Sequence, residues 1–574
     1  MSDPTSTLDP GAAARCAFRV VLENDRVGGG PLPERADEVL RRRLDAAGQH
    51  RADVVATLLE LHGDRARDAR GDVAATLRAI ADPEVALIAW PRLPPDVAGR
   101  RHGAPTLLVA DRRDTEAGWR PVDVHNHFVT TTGTRSFAAS TLERPLPSDA
   151  LPRPGRRLRK GGAWRRDLLR LAHHHRILEA LGATGTGPAL GGVLDRSSTL
   201  WWLRLDEPLD ARGSALAQHD TRLAERVALL VATEAHNEDP ELPRPGRPWW
   251  HRECDECPFA PTCSGELEAV DDVSLVRFTD APEQALLREN GITTRRGLAA
   301  LDLAAVAVGR ATSDEPSDET TPTAVVIGRR VKDADRLVRR ARVAVAGSPL
   351  RLVGAGDLTA HRADIEIDMD MESYDGATYL WGTLVTVRVP TVGVDEGYRA
   401  FVEWGTLTEE SEGRLFAEFF AWLAEVVAVA RSQGRTVGVY CFWEHAERGQ
   451  MRRAMSSGVE GLPSQEVLDE VLGTSLVDLH RVVTSQLQTA GPAGLKVVAT
   501  AAGFSWRDGD PSGEASMAWY EEAVGAQVDA AIAARRRLLE YNEDDCRATR
   551  ALREWLEGPA RALPDLEGAR PPAS

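Results

Sequence analysis

Lysine is nearly missing from this chain: only Lys160, Lys332 and Lys496 stand among 70 lysines and arginines. Positive charge is therefore carried by arginine, and chemistry that needs an ammonium group has three addresses. Long apolar runs are missing as well. The most apolar helical run, Phe416 to Ala430, is interrupted by Glu418 and Glu425 and is too short to span a bilayer. The start, Met1-Ser2-Asp3-Pro4-Thr5, is polar and acidic and does not read as a signal peptide. No phosphate-binding loop and no internal repeat is found, which excludes an ATP-driven motor. The expectation is a soluble, cytoplasmic protein with no membrane partner.

A net charge of −17 argues against a simple nucleic-acid coat, although affinity for phosphates is decided by local basic patches. With 574 residues, 43% of them hydrophobic, the chain exceeds one ordinary core, and two to four domains are expected. The cysteines are few and unevenly placed: Cys16, Cys254, Cys257, Cys263, Cys441 and Cys546. Crowding of Cys254, Cys257 and Cys263 favours a metal or cluster over disulfides in an intracellular chain. Cys441 and Cys546 read as small core residues.

The pattern along the chain is that of an α/β multidomain protein. Residues 1–270 read as one α/β unit: helical periodicity from Glu34 to Ile80, then strands at Val85 to Trp90, Thr106 to Ala110 and Trp119 to Val124. A basic loop with Arg153, Arg156, Arg157, Arg159 and Lys160 leads into a helix from Trp164 to Leu181 and a hairpin from Gly192 to Leu205. Residues 271–345 read as mainly helical, with a helix, Gly291 turn, helix pattern and an acidic linker at 310–323. Strand and helix signals return over 350–557: Tyr379 to Val389, Phe401 to Leu407, a helix from Gly413 to Gln433, and Thr436 to Phe442. The tail, 558–574, reads as disordered.

Two stretches of the last third carry the chemistry. Leu538 to Cys546 reads as a helix with Tyr541 and Asp545 on one face, since positions i and i+4 are neighbours there. Upstream, alternation in Asp364-Ile365-Glu366-Ile367-Asp368-Met369-Asp370-Met371-Glu372 puts the acids on one face of a strand and the apolar residues on the other. Carboxylates crowded in this way repel one another unless cations sit among them. A pair of divalent cations, and so metal-assisted phosphodiester cleavage, is the expectation. Asp364, Glu366 and Asp368 read as a solvated edge face and Asp544 as a helix-surface acid. Trp506, Trp519 and Tyr520 fit base stacking or, more commonly, packing.

Cys254-x2-Cys257-x5-Cys263, with Cys16 as a distant fourth thiolate, suits tetrahedral zinc or an iron–sulfur cluster. One early Cys with this late triad resembles the RecB-like and CRISPR-adaptation nucleases. That resemblance implies a PD-(D/E)XK domain over residues 1–270 whose ends are tied by a 4Fe–4S cluster, with Zn²⁺ as the alternative. Its nuclease motif is degenerate here. Thr106 stands where the first Asp is expected, Asp123-Val124-His125 replaces Asp-x-Lys, and Arg170 to His174 replaces the Gln/Tyr helix motif. No lysine precedes Lys160. The domain reads as a DNA-binding scaffold without catalysis, with Arg156, Arg157, Arg159 and Lys160 as phosphate-contacting candidates. His125-Asn126-His127 resembles an HNH string by chance. His173, His174 and His175 face different sides of a helix and cannot share an ion. The Gly291 turn resembles a helix-hairpin-helix element.

Asp370-x-Glu372, the Tyr379-Leu380-Trp381-Gly382 strand, the Tyr440 strand running into Glu444 and Glu447, and Tyr541-x3-Asp545 together resemble the RNase H-like 3′–5′ exonucleases of the DEDD type, Tyr subclass. The resemblance covers about residues 355–557. It implies a mixed sheet flanked by helices and two Mg²⁺ or Mn²⁺ ions. Asp370 would bridge them, Glu372 and Asp545 would complete the first, and Tyr541 would orient the attacking water. Glu447 is the favoured fourth carboxylate, with Asp478 the runner-up and Glu444 a further candidate. Lys496 reads as a phosphate contact or as a simply exposed side chain. The implied function is hydrolysis at single-stranded or frayed DNA 3′ ends, RNA not excluded, in repair or recombination with a helicase as partner. The competing readings are a nuclease-dead binding subunit, or activity in the N-terminal domain.

Overall fold

The structure, a computed structural model, describes residues 6–27, 38–110, 118–159, 163–276, 281–312, 320–352, 360–374, 376–473, 475–509 and 513–566. Most of the expected acidic linker, Lys160 and the end of the tail lie outside the described residues. The described residues divide into two units, residues 1–248 with 253–263 and residues 249–252 with 264–574, each containing both helices and a sheet. The helical middle therefore groups with the C-terminal unit. Among the described residues no helix is long and apolar enough to cross a membrane.

The first unit is built on an eight-stranded mixed sheet. Its strand order is Ala66–Asp68, Leu87–Ala89, Leu107–Ala110, Trp119–Val124, Leu190–Leu194, Leu200–Arg204, Thr130–Ser140 and Leu151–Leu158. The inner strands are buried on both faces, which is why they read as short continuous apolar runs. Two expectations need correction. The helical pattern from Glu34 to Ile80 is broken: Glu38–His62 is helical, Gly63 takes a positive φ of 46°, and the edge strand Ala66–Asp68 precedes the helix Val73–Ala81. The basic stretch around Arg156 is not a loop but an exposed edge strand, Leu151–Leu158, paired with Thr130–Ser140.

In the second unit the helical segment shows the expected turn, with Ala281–Glu289 and Arg295–Ala299 flanking Gly291 at φ 79°. The basic stretch after it is two helices, Thr323–Arg330 and Ala334–Ala346. Arg342 is buried there and donates to the carbonyls of Ala299, Leu301 and Leu566. That bond to Leu566 helps to explain a further correction. Residues 558–566 are not a disordered tail: Pro559–Ala562 form a 3₁₀ turn, and Ala560 and Leu566 are buried.

The C-terminal sheet has five strands, ordered Gly397–Val402, Ala377–Val387, Ile365–Tyr374, Val437–Cys441, Leu476–Asp478. The first three pair antiparallel, and the last two join in parallel. Parallel pairing needs a crossover, supplied by Glu409–Ser432. That helix starts at a capping box between Thr408 and Ser411, carries acids in its first turn, and ends before Gly434, where φ is 68°. Its apolar stripe packs Phe416, Phe419 and Leu423 against Ile365, Ile367 and Met369, and Phe419 stacks on Trp381. Each such fully buried side chain contributes on the order of 2 kcal/mol.

The acidic strand is therefore central, not an edge, and its other face lies under the long helix Val528–Glu557. Glu366 and Asp368 are fully buried instead of solvated. Both accept from the guanidinium of Arg553, itself 0% exposed, with bonds of 2.7 and 3.2 Å to Asp368. Arg362 adds a 2.8 Å bond to Glu366. Asp364 is half-buried and accepts from Thr436. Replacing Arg553 by Met would leave two buried acids without this cation. We expect Arg553→Met to destabilise the C-terminal unit by about 3–5 kcal/mol in urea unfolding, and a loss below about 1 kcal/mol would contradict this ion pair's role.

Candidate metal centre in the C-terminal unit

The strand's alternation continues past Asp368 to Asp370 and Glu372, where the helix presents Asp545 in place of an arginine. One carboxylate oxygen each from Asp370, Glu372 and Asp545 lies within 4.8 Å of the others, a grouping able to hold a metal ion. Each acid is oriented by a neutral donor. Asn542 Nδ2 donates to Asp370 Oδ2 at 2.9 Å, the Ser516 hydroxyl to Glu372 at 2.9 Å, and the Trp506 indole N–H to Asp545 at 2.7 Å. Asn542 is in turn held by the Tyr398 hydroxyl at 2.8 Å. Its side chain lies over Gly382, where a Cβ would come within 1.6 Å of Asn542 Oδ1. The glycine in Tyr379-Leu380-Trp381-Gly382 is there for that close approach.

The electrostatics are those of a site short of positive charge. Burial, and then the charges of Asp545, Glu372 and Glu447, hold Asp370 well above the usual carboxylate range. Burial and Asp545 push Glu372 up to about 8. Burial likewise raises Asp545, against the pull of Lys496 and Trp506. Such a set of hard oxygen donors fits Mg²⁺ or Mn²⁺ and does not fit a soft metal.

Glu447 lies outside this grouping, in the first turn of the helix Glu444–Met455. It is buried, burial pushes it up to about 8, and its Oε2 has no hydrogen-bond partner. Glu444 is instead paired with Arg448. Asp478, the runner-up, is committed elsewhere: its Oδ1 accepts from the backbone of Trp443, His480 and Arg481, capping the helix Leu479–Gln486. Asp544 is not a surface acid but is buried and held by Arg507.

Tyr541 faces the same space one helical turn before Asp545. Its phenol accepts from Lys496 Nζ at 2.7 Å, and burial and the surrounding acids raise its pKa. Lys496 is thus inside the carboxylate centre, where its charge lowers the pKa of Asp370, Glu372 and Asp545. Sequence reasoning missed Asn542, Ser516 and the indole bond of Trp506. Asn542 alone carried a signal, adjacency to Tyr541 on a helix. Trp519 and Tyr520 are buried and pack, against Tyr541 and Tyr379 respectively. Cys441 and Cys546 are fully buried core residues.

In the first unit, Thr106, Asp123, His125 and Arg170 line one cleft of about 160 Å³ together with Trp90 and Arg51. Asp123 is buried and accepts from the Thr106 N–H at 3.2 Å, with Arg170 at 4.0 Å. Against burial, His174, Arg170 and His125 hold its pKa below the usual value. Burial drops His174 itself to about 4, so at neutral pH Arg170 is the cation that keeps Asp123 ionised. His125 and His127 both point to Asp167, at 3.3 and 3.1 Å, and His173 meets His219. The three consecutive histidines diverge as expected. Cys16 and the late triad share this unit, and the Cys16 N–H donates to Glu253 at 3.1 Å, so the two ends of the unit adjoin. Among the described residues, the cysteines form no grouping as close as that of the acids.

With this geometry in view, comparison with known proteins adds one finding. A model of the RNase_H_2 family, of the RNase_H superfamily, matches residues 450–557. Residues 450–557 of the C-terminal unit are therefore similar to the RNase H superfamily. The matched span includes Lys496, Trp506, Tyr541 and Asp545, and Asp370 and Glu372 reach the same centre from the strand before it. No curated protein and no solved structure matches the chain.

The raised carboxyls have a measurable consequence. A group whose folded pKa exceeds its unfolded value stabilises below the unfolded value and loses that contribution as pH rises through the folded one. For Glu372 and Glu447 the loss runs from 4.5 towards about 8. We expect Mn²⁺, which replaces protons as the counter-charge, to raise the melting temperature of the protein more near pH 8 than near pH 5. Equal shifts at both pH values would contradict the buried, metal-seeking centre.

Proposed function

We propose that the C-terminal unit is a metal-dependent 3′–5′ exonuclease acting on single-stranded or frayed DNA ends. The observation that carries this reading is the convergence of Asp370, Glu372 and Asp545 from two distant segments, with Tyr541 on the same helical face as Asp545. Asp370, Glu372 and Asp545 would hold the cations, with Glu447 as the fourth carboxylate. When bound, two such ions lower the pKa of an attacking water and stabilise the charge developing on the leaving 3′ oxygen.

The chain's own residues do the positioning. Asn542, Ser516 and Trp506 each fix one oxygen of one carboxylate. Tyr541, too weakly acidic to ionise, keeps its proton and orients the water. Lys496 fixes the phenol through the 2.7 Å bond and offers its charge to the scissile phosphate.

The first unit supports a different role. Among the described residues its cleft offers Asp123 as a single carboxylate beside Arg170, and no lysine, which is a poor donor set for catalytic cations. We read it as a binding scaffold stapled by Cys16, Cys254, Cys257 and Cys263 around a 4Fe–4S cluster, in an enzyme of DNA repair or recombination that works with a helicase.

On end-labelled single strands with Mn²⁺, we expect Asp370→Ala and Asp545→Ala each to lower cleavage by at least about 10³-fold, and Tyr541→Phe and Lys496→Met by about 10–10²-fold. Asp123→Ala should cleave like the unaltered protein. Loss of cleavage in Asp123→Ala with retention in Asp545→Ala would move the active site to the first unit. For the staple, the anaerobically purified protein should contain iron and absorb broadly in the visible. Replacing Cys257 by Ala should remove both, and stoichiometric zinc without iron would contradict the cluster.

A further inference from the structure

The edge of the first unit's sheet carries a feature that the metal centre does not use. Strand Thr130–Ser140 pairs with its inner neighbour Leu200–Arg204 only through Ala138, Ala139 and Ser140. The rest of it, from Thr130 to Phe137, pairs only with Arg153 to Leu158 of the outermost strand. These two stretches form a two-stranded ribbon at the sheet's edge, seated on the core through Phe137 and Leu158. Consecutive residues from Arg153 to Arg157 are all exposed, so both faces of that strand meet solvent.

Every charge within residues 130–137 and 153–159 is positive: Arg135, Arg153, Arg156, Arg157 and Arg159. None of these five has an ion-pair partner among the described residues, in a chain whose net charge is −17 and whose other arginines are widely paired. Across an irregular register Arg156 is matched with both Thr132 and Arg135, which brings two like charges together on a ribbon already marginal on its own. Gly155, at φ 71°, bulges the strand between Arg153 and Arg156. Two arginines lean on aromatic rings, Arg135 over Phe137 at 5.3 Å and Arg159 over Phe128 at 5.9 Å, and Phe128 is exposed.

A guard against edge-to-edge pairing requires a charge or two and a proline, and Pro152 and Pro154 already serve that purpose. Five unbalanced guanidiniums, two of them brought together, go beyond it. The fork of arginine matches phosphate oxygens bidentately, and a two-stranded ribbon fits the major groove of a duplex with each strand facing one backbone. We propose that this ribbon is a duplex-binding arm, gripping the double-stranded part of a nucleic acid through phosphates on both sides of a groove. The choice of nucleic acid over other polyanions rests on the nuclease reading of the C-terminal unit.

The test is fluorescence anisotropy of the full-length protein in EDTA, with a labelled duplex, the corresponding single strand, an acidic peptide and anionic phospholipid vesicles as probes. We expect tightest binding to the duplex. Arg135→Glu with Arg156→Glu should weaken it by at least about tenfold, with unchanged melting temperature, while Arg156→Lys with Arg157→Lys should keep most of it. The slope of log affinity against log salt should shrink by about one for each phosphate that the altered arm no longer neutralises. Duplex binding unchanged by charge reversal, or tighter binding of the single strand, the peptide or the vesicles, would overturn the proposal. Because EDTA silences cleavage, failure of the nuclease reading shows separately, as absent Mn²⁺-dependent degradation by the same wild-type preparation.

Discussion

One face of one strand, crowded with carboxylates and buried beneath one helix, sets the conditions that the C-terminal unit must meet. Glu366, Asp368, Asp370 and Glu372 would repel one another and suffer a large desolvation cost unless cations met them. The helix answers with two different groups on one face. Arg553 neutralises Glu366 and Asp368, whereas Asp545 adds a further negative charge opposite Asp370 and Glu372. Eight helical residues separate Asp545 from Arg553, a rise of about 12 Å. Four strand residues separate Glu366 from Asp370, a span of about 13 Å. The two ladders therefore run in step, one end closed by a guanidinium and the other left for metal.

That asymmetry links fold to function. The arginine end is satisfied within the protein and locks helix to sheet, so the position of Asp545 is set by packing and not by the ion it would bind. Around the open end, the donors to the acids are neutral: an amide, a hydroxyl and an indole. They orient the oxygens without discharging them. The Lys496 ammonium bonds Tyr541 and offsets the three acids only in part, so they hold protons until cations replace them. Gly382 supports the same arrangement from below, because any side chain there would displace Asn542.

Much of this was legible in the residues. Alternation marked the acidic strand and its two faces, and the i, i+4 spacing of Tyr541 and Asp545 marked the helix face. What alternation could not show was which acids would be covered. Glu366 and Asp368 look solvent-facing until Arg553, some 185 residues downstream, is folded over them. Asp544 was hidden for the same reason, since its arginine, Arg507, lies 37 residues upstream, and nothing local told a helix-capping acid such as Asp478 from a free one. Short-range period likewise ran helix through Gly63 and hid the ribbon at Leu151–Leu158, whose Pro and Gly content reads as loop. The first unit's cleft shows the reverse case, since Thr106, Asp123, His125 and Arg170 were placed by motif position and do meet in space.

The central claim is that Asp370, Glu372 and Asp545 form one cation-binding centre. Crystals of the full-length protein soaked in Mn²⁺ would test it through anomalous scattering. The account predicts a strong peak coordinated by all three carboxylates, with a weaker second one towards Glu447. A map with no manganese among these acids, or with the Lys496 ammonium bridging them at saturating Mn²⁺, would contradict it.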